Sequence, residues 1–138
     1  MYEFRGNSSI VQIRMEQAEE CLEAARSLLT MKKCNRSVVN RAYYAAFYAA
    51  LALLQTQEKT SKKHIGTMRL IDSEFVKPGI LPKQISKWLH QLFEARMEDD
   101  YQSIAPISFE DALESLETAE QFVQAIRSHL LQEGFLAE

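Results

Sequence analysis

Asn40-Arg41-Ala42-Tyr43-Tyr44-Ala45-Ala46-Phe47-Tyr48-Ala49-Ala50-Leu51-Ala52-Leu53-Leu54 is the stretch that decides the fold. Alanine and leucine are strong helix formers and neither glycine nor proline interrupts the run, so it reads as a helix over about residues 36–55. The alanines at 42, 45, 46, 49, 50 and 52 let neighbouring helices come close, while Tyr43, Tyr44, Phe47 and Tyr48 fill the gaps between layers. Val39, Tyr43, Ala46, Ala50 and Leu53 form one stripe; Arg41, Tyr44, Ala45, Tyr48 and Ala52 form another, rotated away from it. Two such faces need two partners. The bundle's own core suits the first, and a pocket or a subunit interface suits the second, which carries a cation and two phenols. The uncharged run 42–54 is shorter than the roughly 18 apolar residues of a spanning helix.

Outward from this helix the sequence predicts others. Before it, Val11, Met15, Ala18, Leu22, Ala25 and Leu29 recur at four- and three-residue steps over about 10–31, with Glu16, Glu19, Glu20, Glu23 and Arg26 outside the stripe. The polar link 32–35 permits a tight return. After it, a short helix over about 61–75 has Thr60 or Ser61 as cap and Ile65, Met68, Ile71 and Phe75 as apolar face, and stops at Lys77-Pro78-Gly79. Pro82 stands where a first-turn proline belongs, and Ile85, Leu89, Leu92 and Phe93 carry a fourth helix to about Tyr101. Past a connector at 102–107, Ser108-Phe109-Glu110-Asp111 resembles a capping box ahead of Ala112, Leu116, Ala119, Val123, Ile126 and Leu130. The expected fold is therefore all-α: an antiparallel up-and-down four-helix bundle with one extra short helix. One domain spans 10–132, between a flexible arm at 1–9, with a cap at Ser8 or Ser9, and a tail at 133–138.

Composition narrows the function. Among 138 residues, 4 glycines and 3 prolines leave few turns for a β-fold, and a net charge of −3 lacks the basic footprint of a dedicated nucleic-acid binder, though not of a local site. Cys21 and Cys34 have neither metal-ligand spacing nor a disulfide framework around them, so neither a metal nor a cofactor is expected. With no leader pattern at the start, the expected setting is the cytoplasm, away from membranes.

Five elements in chain order carry a resemblance. Ala18, Leu22, Ala24, Ala25 and Leu29 come first, then the run from Asn40 to Ala50, then Ser61-Lys62-Lys63-His64. Leu92-Phe93-Glu94-Ala95-Arg96 with Asp100-Tyr101, and Ala119-Glu120-Gln121-Phe122-Val123, complete the series. Together they resemble the HEPN superfamily and, within it, the small prokaryotic stand-alone branch. That resemblance implies a dimer with a composite site, in many members a metal-independent ribonuclease acting as a toxin beside an MNT-type nucleotidyltransferase. The family motif is an arginine followed, after four to six residues, by a histidine. Arginine would hold the scissile phosphate through its fork of donors, and histidine would move the proton of the 2′-hydroxyl or the leaving group.

Arg41 occupies the arginine position, and Tyr48, two helical turns or about 10.5 Å further along the same face, stands where the histidine belongs. A phenol that titrates near 10 is in the wrong protonation state to be a base at neutral pH, although it can donate a proton or orient a phosphate. Arg41 and Tyr48 are thus the candidate catalytic pair, and Arg41, Tyr44, His64 and Lys63 the candidate phosphate or nucleotide ligands. Arg41 also reads as an ordinary salt-bridged surface arginine, His64 as an exposed helix-start histidine, and the cluster Lys59, Lys62 and Lys63 as a solvated helix start. Arg96 and Asp100, four apart, read as a helix salt bridge beside Tyr101 or, if buried near Arg41, as residues that orient it. Two functions compete. One is a non-catalytic dimeric HEPN module that binds RNA, a nucleotide or a nucleotidyltransferase partner; the other is a metal-independent endoribonuclease, the toxin of a toxin–antitoxin pair. The missing histidine favours the first.

Overall fold

The alanines of the central helix are where the other helices meet. The computed structural model describes residues 8–101 and 106–137, the side chains of 98–101 excepted. Its helices are α1 (Ser8–Thr30), α2 (Asn35–Gln55), α3 (His64–Ile71), α4 (Lys83–Tyr101) and α5 (Phe109–Gln132). The described residues form no strand, and the four long helices with the short α3 make the expected all-α bundle. Of these helices α2 alone packs against all the others. Ala42, Ala45, Ala46, Ala49, Ala50 and Ala52 are all fully buried, so the backbone of α2 sits at close range to its neighbours without large side chains holding them apart.

The expected stripe of α1 is buried at Val11, Met15, Ala18, Leu22 and Ala25, and on α5 Ala112, Leu116, Ala119, Val123, Ile126 and Leu130 face the same core. Ser108 caps α5 as its sequence suggested, its hydroxyl accepting from the Asp111 N–H at 3.0 Å. Arg26 to Glu120 and Arg127 to Glu19, each at 2.8 Å, tie the rims of α1 and α5 together. Among the described residues no helix is long and apolar enough to cross a membrane.

Three local features differ from the sequence reading. α1 already includes Ser8 and Ser9, with Ser8 buried, while residues 1–7 lie outside the described residues. The helix expected over 61–75 begins only at His64 and ends in a π-helical turn, Asp72–Val76, because Lys77 N–H bonds to the Asp72 carbonyl at 2.8 Å and Phe75 must reach the core. Neither Thr60 nor Ser61 caps it: the Ser61 hydroxyl instead accepts from the Lys63 N–H at 3.2 Å in a turn before the helix. Past α5, Gly134 adopts φ 80° and Phe135 N–H returns to the Leu130 carbonyl at 2.9 Å. That turn buries Phe135 and Leu136, so residues set apart as a tail contribute to the core.

The packing around α2 leaves no space for growth. Ala49→Leu adds three carbons to a fully buried position and is expected to destabilise the fold by about 1–3 kcal/mol. Urea denaturation measures it; an unchanged midpoint would contradict the close approach.

Candidate functional site

The aromatic face of α2 is covered by α3 at one end and α4 along its side, and these two elements supply what the sequence could not place. The Ser61 turn delivers the chain into α3 at His64, and Gly66 leaves room for it, since a Cβ there would stand 2.2 Å from the Ser61 hydroxyl and force it to turn away. His64 then lies over α2. Its ring centroid is 4.6 Å from that of Phe47, 5.3 Å from Tyr43 and 5.9 Å from Tyr44. Its Nδ1 is 2.5 Å from the hydroxyl of Tyr43, a residue fully buried in the bundle. From α4, Phe93 approaches Tyr43 at 5.9 Å.

One turn beyond Phe93, Arg96 reaches across to α2. Its Nε donates to the Asn40 side-chain oxygen at 3.2 Å, and its guanidinium carbon lies 5.4 Å from the Tyr43 ring centre and 5.3 Å from that of Tyr44. Arg41 stands 5.4 Å from the same Tyr44 ring. Two guanidiniums from different helices thus flank one tyrosine. Tyr48 continues this face, 6.3 Å from Tyr44, and both phenols are half-buried.

Electrostatics follows from this crowding. Burial holds the His64 pKa below its ordinary value, and the Arg96 guanidinium pushes it the same way, so the ring is neutral at pH 7. Burial drives the Tyr43 phenol far above the usual tyrosine range despite the pull of Arg96, with Tyr44 adding to the rise, so it keeps its proton. On α1, burial raises the pKa of the Cys21 thiol against the opposing pull of Arg41.

Of the residues singled out from sequence, Arg41, Tyr44, Tyr48, His64 and Arg96 come together. Lys63 is exposed at the start of α3, and Lys59 is ion-paired with Glu74. The backbone of Asp100 and Tyr101 belongs to α4, but their side chains lie outside the described residues, so the Arg96–Asp100 pairing expected from spacing does too. His90 meets Asp72 at 3.3 Å and His129 packs on Phe75, both apart from this cluster. Sequence reasoning gave no site role to Asn40, Phe47 or Phe93, and it placed Tyr43 on the stripe opposite that of Arg41. The signal was present as spacing: Asn40 and Tyr43, and likewise Phe93 and Arg96, are three apart and share a helix face.

A family model described as the HEPN domain matches residues 11–129, which includes every residue of the cluster. The chain belongs to the HEPN family. A UPF0332 protein of Thermotoga maritima is 35% identical over 117 residues, covering 85% of this chain and 88% of that protein. Two proteins of Methanocaldococcus jannaschii, each named "Putative toxin", are similar at 30% over 122 residues and 35% over 120, covering 88% and 87% of this chain and 82% and 88% of theirs. The resemblance inferred from sequence is thereby shown.

The neutral state of His64 has a consequence for stability. Burial also lowers the pKa of His129, against the opposing effect of Glu133. The unfolded chain, with imidazoles near 6.5, therefore binds protons that the folded chain resists, so the stabilisation is complete above about pH 6.5 and is lost as the pH falls through the folded values. Unfolding free energy should decline between pH 7 and pH 5, and His64→Gln should flatten that decline. Denaturation curves across this range check it; a slope unaltered by the substitution would contradict a buried neutral His64.

Proposed function

We propose that this HEPN protein is an RNA-binding module of the cytoplasm, acting as a dimer, that grips a backbone phosphate between Arg41 and Arg96 and does not cleave the strand. The observation that carries this reading is the convergence of two guanidiniums, from α2 and α4, on the one ring of Tyr44. Both forks are rich in donors, and a charge-assisted contact from each is among the stronger interactions an anion can receive. A phosphodiester has the charge and the oxygens to accept from both forks, and the half-exposed phenols of Tyr44 and Tyr48 offer flat, polar surfaces to the adjoining nucleotide. The binding role survives the loss of the motif histidine; proton transfer does not.

The Methanocaldococcus jannaschii relatives are named toxins, and that name alone favours a second reading over a purely binding role. The family resemblance would make such a toxin a metal-independent endoribonuclease beside an MNT-type nucleotidyltransferase. In that reading Tyr48 carries the proton.

Fluorescence anisotropy with a labelled single-stranded RNA separates these. Arg41→Ala or Arg96→Ala should weaken binding about tenfold or more, the loss of roughly 1.4 kcal/mol, and the wild type should leave the strand intact. Cleavage by the wild type that disappears in Arg41→Ala would overturn the non-catalytic reading. Cleavage that arises only in Tyr48→His would show that the frame is competent and lacks only its base.

A further inference from the structure

A histidine does stand at the site, supplied by α3 and not by the motif, so whether it can act as a base depends on which of its nitrogens holds the proton. Among the described residues, the Tyr43 hydroxyl makes a single hydrogen bond, to His64 Nδ1 at 2.5 Å, and Tyr43 has no exposure to water. A phenol carries one proton that needs an acceptor. If Nδ1 were protonated it would donate to the phenol oxygen, and the phenol's own proton would be left buried without a partner. If Nδ1 is the acceptor, both groups are satisfied.

We infer that Tyr43 is the donor and fixes His64 as its Nε2–H tautomer, so that the site meets RNA phosphate with a neutral N–H and holds no imidazole base. This rests on the RNA-binding reading above and deepens it. In this tautomer the nitrogen not turned to Tyr43 carries a hydrogen, a donor suited to a phosphate oxygen and without a lone pair for the proton of a 2′-hydroxyl. The two guanidiniums supply positive charge, and His64 adds direction without a third charge beside Arg96. Burial of both partners keeps the arrangement: the imidazole resists protonation and the phenol resists losing its proton. Tyr43 is thus a positioning residue, acting through His64, and the chain departs from a ribonuclease in two places, the phenol at Tyr48 and the occupied lone pair at Nδ1.

Long-range proton–nitrogen correlation spectra of the full chain, labelled with nitrogen-15 histidine, read the tautomer at pH 7. The inference expects His64 Nδ1 unprotonated and Nε2 protonated, with the Nε2 resonance shifting when a single-stranded RNA is added. It expects Tyr43→Phe, which keeps the packing and removes the donor, to release His64 into a mixture of tautomers. A protonated Nδ1 in the wild type overturns the inference, as does a tautomer that Tyr43→Phe leaves unchanged. An Nε2 signal that ignores RNA, while anisotropy still shows binding that needs Arg41, overturns His64's contact and leaves the RNA-binding reading standing. Absence of any RNA binding overturns that reading instead, and with it the phosphate contact of His64.

Discussion

The rest of the structure depends on one constraint: α2 must be buried along nearly its whole length while carrying two arginines and three tyrosines. Alanine meets the first half of that demand. With Ala42, Ala45, Ala46, Ala49, Ala50 and Ala52 fully buried, helices pack on α2 at backbone range, and dispersion contacts replace the water that the apolar face would otherwise order. The second half is met by arranging the polar tips. Tyr43 sends its hydroxyl into a hydrogen bond with His64, and Arg41 and Arg96 spread their guanidiniums over aromatic faces. A core helix thereby becomes one wall of a site.

The same constraint explains why α3 is short and irregular. Its task is to bring His64 onto α2, and the turn at Ser61, the clearance at Gly66 and the π-helical turn that seats Phe75 all adjust its position between α2 and α4. Regular helix over the whole of 61–75 would fix the phase of His64 relative to Phe75. The chain departs from regularity beside the candidate site.

How much of this was legible in the sequence follows from the kind of information each feature uses. Periodicity gave α1, α2, α4 and α5, because amphipathic stripes such as Val11 to Ala25 register burial directly. Capping chemistry gave the start of α5 at Ser108, a contact three residues long. The π-helical turn was not legible, since nothing in Asp72-Ser73-Glu74-Phe75-Val76 differs from an ordinary helix end. The site was half legible. Arg41, Tyr44 and Tyr48 share a helix face, but the approach of Arg96 to Asn40 crosses 56 positions and that of His64 to Tyr43 crosses 21, and such contacts are decided by how helices pack. Tyr43, read from sequence on the stripe opposite that of Arg41, has its hydroxyl in a hydrogen bond with His64 within the cluster.

In the proposed mode of binding, Arg41 and Arg96 hold one and the same phosphate. A double-mutant cycle on RNA binding tests it most directly, comparing Arg41→Ala, Arg96→Ala and the two combined at fixed salt. If the guanidiniums share an anion, the combined variant loses much less than the sum of the two single losses, because either substitution already breaks the clamp. Losses that simply add would contradict the account and place the two arginines on separate parts of the ligand.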